Sequence, residues 1–316
     1  MSSRKIAKST ANHWRFYMPH YWPLWILIGL FWLLVHLPFR LQMWMGKGLG
    51  RFMMWISPNA KRVARINLRH CFPEYDEPKR EAIMRESFAN LGRALFETGM
   101  GFWLSDKRLK KLAHFHGAEH LDRLKTSERG VVLLGAHLTT LEVVGRLCAM
   151  RYTYSVMYRP HKIAFLDLFI KRGLSKHYQS AIGRHDLRQM IRRLKKGEGV
   201  WYSPDVNPGR KSSVFAPFFH LQAATVKAPT KFAQLTNCQF VPVFNYRRSD
   251  GKGYDIEILP VVSPFPSGDL VKDATTINQL IETAIRKHPE QYLWQYMRFK
   301  TRPEGEPRVY SRRYNK

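Results

Sequence analysis

This sequence predicts an α/β fold in which a mostly parallel or mixed central sheet is covered by helices, behind an amino-terminal membrane anchor helix. Two observations carry the expectation: short apolar strand-like runs alternate with helix-like runs from Val131 onward, and the first forty residues hold a long uncharged, aromatic-rich stretch. The 316 residues, 45% apolar and 13% aromatic, can fill one large α/β core or two smaller ones and exclude wholesale disorder.

The amino-terminal segment comes first. The 24 residues from Phe16 to Phe39 contain no Asp, Glu, Lys or Arg, and Trp22 to Phe39 reads WPLWILIGLFWLLVHLPF. As a helix those 18 residues reach roughly 27 Å, slightly short of a hydrocarbon core of about 30 Å. Trp14, Tyr17, Tyr21, Trp22 and Trp25 cluster at its start, at the depth where amphipathic rings line a headgroup belt. The run ends in Pro38-Phe39-Arg40 rather than at a small-residue cleavage site, so it is expected to stay as an anchor. No acidic residue occurs before Glu74, whereas four cations precede the run and seven follow it between Arg40 and Arg69. That bias favours a main body on the cytoplasmic side. Arg40 to Ile56 mixes aromatic and Met side chains with sparse cations, as an interfacial helix or an ordinary core helix would.

Pro78 to Phe102 carries Ile83, Phe88, Leu91, Leu95 and Phe96 near helical spacing and predicts a long amphipathic helix. Strand-like runs follow at 131–137, 152–158 and 199–204, separated by helical runs at 141–150 and 165–177 and a basic helix at 187–196. An apolar helix is expected over 223–236, strands over 238–246 and 254–259, and a last helix over 274–288. Without a repeat or low-complexity linker, residues 1–40 form the anchor and 41–316 one catalytic domain.

With 52 basic and 24 acidic residues the chain carries +28, which calls for an anionic partner: nucleic acid, acidic lipid, a phosphorylated substrate or an acidic protein. Cys71, Cys148 and Cys238 are odd in number and contain no CxxC, so neither a disulfide framework nor a cysteine zinc site is indicated. The sequence also lacks G-x-S-x-G, H-E-x-x-H, Walker A and G-x-G-x-x-G motifs, which removes serine hydrolase, zincin and P-loop readings.

What remains is H-x-x-x-x-E. Chance supplies about one such pair in a chain with 13 His and 24 acidic residues, and two occur. His114 with Glu119 reads as a strand edge and turn. His137 closes the apolar run VVLLGAH and would project from the carboxyl end of a strand, where open α/β sheets place ligands. Glu142 could orient its imidazole or, in Thr139-Thr140-Leu141-Glu142, close a helix capping box; the residues alone leave these readings even. Three further places put polar groups at strand ends: Arg159 in Tyr158-Arg159-Pro160, Arg184 with Asp186, and Asp205 in SPDVNPGRKSSVF.

These blocks together resemble the late (secondary) acyltransferases of lipid A biosynthesis, of lauroyl, myristoyl and palmitoleoyl type, within the lysophospholipid acyltransferase superfamily. The resemblance runs nearly end to end: NLRHCFPE, GAHLTTLE, VMYRP, IGRHDLRQMIRRLKKGEGVWYSPD, SVFAPFF, the AAT at 223–225 and RFKTRPEGEP follow in order. It implies His137 and Glu142 as the catalytic pair and Arg159, Arg184 and Asp205 as substrate-site residues. It further implies acyl-acyl carrier protein as donor and a Kdo-bearing lipid A precursor as acceptor, with no metal or organic cofactor. The expected setting is the cytoplasmic face of a bacterial inner membrane, in contact with its anionic lipids. Alternatives are another glycolipid or lysophospholipid acyltransferase, or a membrane-tethered basic nucleic-acid-binding or scaffold protein; no nucleic-acid module is recognisable. The terminal stretch RFKTRPEGEPRVYSRRYNK, with seven basic and two acidic residues, is expected to be a solvated or membrane-facing tail.

Overall fold

A computed structural model describes residues 16–184 and 186–310. Four helices lead into the sheet: α1 (Trp22–Val35), α2 (Phe39–Ile56), α3 (Pro58–Cys71) and the long α4 (Glu77–Trp103). The short α5 (Asp106–Lys110) precedes β1 (Ala113–His116), and α6 (Glu119–Asp122) precedes β2 (Val131–Leu134). Then come α7 (Leu141–Ala149), β3 (Tyr154–Tyr158), α8 (Ala164–His177), β4 (Ala181–Gly183), α9 (Leu187–Lys195) and β5 (Gly199–Tyr202). A hairpin of β6 (Ser213–Phe218) and β7 (Leu221–Val226), helix α10 (Ala228–Thr236), β8 (Gln239–Arg247), β9 (Tyr254–Ile258) and α11 (Leu270–Lys287) complete the set.

Seven strands form one sheet in the order β1-β9-β8-β2-β5-β3-β4. The run from β8 through β2, β5 and β3 to β4 is parallel, while β9 lies antiparallel to β8 and carries β1 with it. The sheet is therefore mixed, and helices cover both faces. β2 shows the consequence of burial on two sides: all four residues are buried, Val132 and Leu134 facing one core with Phe88, Phe240 and Ile281, and Val131 and Leu133 facing the other with Val143, Val241 and Ile256.

Helix α4 is fastened to the sheet by a buried ion pair. Both Arg247 Nε and Nη2 donate to the Glu97 carboxylate at 2.7 and 2.6 Å, Arg247 Nη1 donates to Asn90 Oδ1, and the Tyr254 hydroxyl adds a bond to Glu97. Helix α2 meets α4 backbone to backbone, because a Cβ at Gly46 would lie 2.6 Å from the Arg93 Cα and glycines at 50 and 92 complete the contact.

The anchor helix differs from expectation. The apolar run breaks at His36-Leu37-Pro38, since the residue before proline is pushed out of the α region, and Gln42 Nε2 ties the corner by donating to the Val35 and Leu37 carbonyls. Helix α1 thus has 14 residues, and among the described residues no helix is long and apolar enough to cross a membrane. Its buried face, Phe31 and Val35, packs on Phe96, Gly99 and Trp103 of α4. Its other face is open, with Trp22, Ile26, Leu27, Leu30 and Leu33 all exposed. Helix α2 combines the two roles the sequence left open: Gly46 and Gly50 meet α4, while Trp44, Phe52 and Trp55 are exposed. Residues 223–226, expected to begin a helix, form β7 instead; the Ala223 to Val226 stretch pairs with β6, and the helix starts after Lys227 with Pro229 in its first turn.

Candidate functional site

Strand register builds the site. β2 and β5 are adjacent and parallel with Leu134 paired to Tyr202, so residues three positions beyond each, His137 and Asp205, arrive together at the carboxyl edge. The Gly135 amide donates to Tyr202 O, and a Cβ there would press on the Trp201 indole at 2.7 Å, so glycine lets the turn close against β5. The Asp205 carboxylate accepts two hydrogen bonds, from the His137 amide at 2.9 Å and, in the tautomer carrying the proton on Nδ1, from the imidazole at 2.6 Å. Asp205 is 2% exposed, whereas the His137 side chain keeps 36% of its surface accessible.

The electrostatics follow. Burial opposes charge on the His137 ring, but the Asp205 carboxylate and its hydrogen bond, with a further contribution from Glu142, outweigh it and hold the imidazole pKa above its ordinary value. For Asp205, burial alone would favour the neutral acid; His137 and then Arg298 reverse that and leave its pKa below the usual carboxylate range.

Glu142 sits in the first turn of α7. It makes no hydrogen bond or ion pair with His137, and no capping box forms, since the Thr139 hydroxyl is buried without a partner among the described residues and the Thr140 hydroxyl donates to Asn245 O. Its carboxylate opens onto a cavity of about 320 Å³ whose walls include Phe102, Val156, Ile170, Leu174 and Trp201. Glu142 keeps an exposed side, and desolvation by the protein around it raises its pKa, an effect that His137 partly offsets. His137 itself lies outside that lining. Arg159 lines the same cavity one residue past β3, and Arg184 follows β4 on the neighbouring strand, its amide donating to Tyr158 O at 2.9 Å. Both arginines are exposed.

The structure therefore joins His137 to Asp205, places Glu142 and Arg159 on one cavity, and sets Arg184 beside Arg159 at the sheet rim. His114 and His116 belong to edge strand β1, where the His116 ring meets Asp255 Oδ1 at 3.0 Å. The three cysteines are buried and none lines the cavity; among the described residues no group of His, Cys, Asp and Glu could hold a metal. The carboxyl-terminal stretch departs from its expected solvated state at its start: Arg298 is 2% and Phe299 1% exposed, because the chain turns inward after β-bridge residue Tyr292 and packs against the β6–β7 hairpin. Sequence reasoning missed Tyr292 and Arg298; the signal available was the apolar spacing of Trp294 and Phe299 around that arginine.

A buried carboxylate orienting a half-open imidazole, at the strand ends beside an apolar cavity, defines a site suited to acid–base group transfer. Residues 9–301 match the model of the bacterial lipid A biosynthesis acyltransferases, and the chain belongs to that family; it is an O-acyltransferase. It is 37% identical over 293 residues to the lipid A biosynthesis lauroyltransferase of Escherichia coli (strain K12), covering 92% of this chain and 96% of that protein. The palmitoleoyltransferase of the same organism is 36% identical over 296 residues (93% and 96% covered), and its myristoyltransferase 25% over 300 residues (93% and 92% covered).

Proposed function

We propose that the chain moves an acyl group from acyl-acyl carrier protein to the hydroxyl of a chain already carried by a Kdo-linked lipid A precursor, with His137 as general base and no acyl-enzyme. The observation that carries the reading is the 2.6 Å bond between His137 Nδ1 and the buried Asp205 carboxylate. It keeps the proton on Nδ1 and the lone pair on Nε2. Nε2 takes the hydroxyl proton as the oxygen attacks the thioester carbonyl. The tetrahedral intermediate collapses with loss of the thiolate, and the imidazolium returns its proton to that sulfur. Glu142 in the cavity lining, in its ionised form, adds a through-space stabilisation of the imidazolium. The lauroyl, palmitoleoyl and myristoyl names of the relatives support a long acyl chain as the transferred group, and the apolar cavity suits its hydrocarbon. Arg159 and Arg184 suit the phosphates and sugar-acid carboxylates of the acceptor.

The setting in this reading is the cytoplasmic face of a bacterial inner membrane. The exposed faces of α1 and α2, with Arg40, Lys47 and Arg51 among their aromatic side chains, support a pair of helices lying in the interface of an anionic bilayer rather than a span. The +28 charge would also speed encounter with an acidic carrier protein.

Purified protein given acyl-acyl carrier protein or acyl-CoA, each with a lipid A precursor or a lysophospholipid, tests the reading. Transfer from the carrier protein to the lipid A precursor is expected to dominate. Preference for acyl-CoA and lysophospholipid would assign the chain a different glycerolipid chemistry.

A further inference from the structure

We propose that the strap formed by residues 291–301 is part of the catalytic apparatus, and that Arg298 within it is the positioning residue for the His137–Asp205 pair. This rests on His137 acting as the base.

One segment grips both loops that carry the pair. Just beyond His137, the Thr139 amide donates to Gln291 O at 2.8 Å, and Leu138 forms an antiparallel bridge with Tyr292. Just beyond Asp205, the Asn207 amide donates to the Tyr296 hydroxyl at 3.0 Å, Asn207 Nδ2 donates to Arg298 O at 3.3 Å, and the Thr301 hydroxyl donates to Asn207 Oδ1 at 3.0 Å. Movement of the strap would change the distance between the imidazole and its carboxylate.

Arg298 supplies a second component. Its guanidinium is buried over the Phe218 ring, with Nη1 donating to Ala224 O at 2.6 Å and Nη2 to the Thr225 hydroxyl at 3.1 Å, while Nε has no partner among the described residues. No carboxylate forms an ion pair with it among the described residues, an expensive arrangement unless a nearby charge compensates. Asp205 is that charge: each group favours the ionised form of the other. The other titratable groups facing the pair and Arg298 are Glu142 from α7, the buried Cys71 from α3, and Tyr292, Tyr296 and Tyr310 from the carboxyl-terminal segment. Arg298 favours the ionised form of Asp205; in this proposal its positive field also opposes charge on the imidazole beyond that carboxylate, which would leave more of the base neutral at a given pH.

The test is the pH profile of kcat/KM for the full chain, with acyl-acyl carrier protein and a Kdo-linked lipid A precursor. Arg298→Met, which keeps the side-chain volume and removes the charge, is expected to move the acidic limb upward by about half a pH unit, about a threefold loss of neutral base below the limb. Arg298→Lys keeps the charge and is expected to keep the limb while losing kcat through the broken fork. An unmoved limb in the Met variant, or the same upward movement in the Lys variant, overturns the proposal. Should the Met variant not fold, Asn207→Ala decides: it removes both side-chain bonds from the Asp205 loop to the strap, those with Arg298 O and the Thr301 hydroxyl, and leaves the backbone bond to Tyr296 and Arg298 itself in place. A fall in kcat of about fivefold or more is then expected, and any smaller fall overturns the positioning role. His137→Ala is the separate control, since retained activity there would refute the base itself, whatever the strap variants do.

Discussion

Asp205→Asn isolates the orienting bond. The carboxylate has both oxygens engaged, one by the His137 amide and one by Nδ1. An asparagine has one acceptor to offer. If its oxygen faces Nδ1, its NH₂ opposes the backbone N–H; if its oxygen faces the backbone, its NH₂ donates to Nδ1 and drives the ring proton onto Nε2, where the base needs a lone pair. Either way one charge-assisted bond at a buried site is lost, about 1.5–3 kcal/mol of stability. The kinetic loss is larger, because the misplaced proton disables the base: kcat should fall by about 10² to 10⁴, or about 3–5 kcal/mol in the barrier. The wild-type pKa is raised by Asp205, so wild-type activity should fall as pH drops through a value above the ordinary imidazole range. In the variant the residual activity should persist to lower pH, since the carboxylate no longer favours the imidazolium. Initial rates across pH, beside a thermal melt, measure both. A plateau within threefold of wild type with an unmoved limb would refute the orienting role.

Glu142→Gln should lower turnover by about tenfold to a hundredfold with the fold intact, as charge near the imidazolium is lost without a hydrogen bond; steady-state rates near wild type would remove it from the mechanism. Arg159→Ala and Arg184→Ala should raise the apparent KM for the lipid acceptor by about tenfold each while melting temperatures stay close to wild type, and an unchanged KM counts against acceptor binding. Gly145→Val should shift acyl preference toward shorter donors, since even the first carbon lies 2.9 Å from the Tyr178 hydroxyl at the cavity wall; competition between donors of different length reads this directly. Arg247→Met leaves Glu97, 0% exposed, without its cation and should cost about 3–5 kcal/mol by denaturant unfolding.

Elements with a strong local pattern were legible in the sequence. The 78–102 periodicity corresponds to α4, and the apolar runs at 131, 152 and 199 correspond to β2, β3 and β5. The Ala-rich 223–226 stretch misled because pairing with β6 overrides alanine's helical preference, a long-range effect that no short window contains. The site was half legible for the same reason. His137, Asp205, Arg159 and Arg184 could each be placed at a strand end, yet the choice of Asp205 over Glu142 as the Nδ1 partner depends on β5 lying beside β2, and strand adjacency is not written in spacing. Arg298 was hidden by composition: seven cations in the last nineteen residues look solvated, although Trp294 and Phe299 pull this one inward.

The equal offset of His137 and Asp205 from a paired position has an evolutionary corollary. The two short loops are phased like teeth on facing gears, so deletion or duplication of a single codon in either would carry one partner out of reach and turn the next side chain toward it. Length variation among natural variants should therefore collect elsewhere, as in the β8–β9 connection, and be purged from residues 135–137 and 203–205 even where substitutions are tolerated.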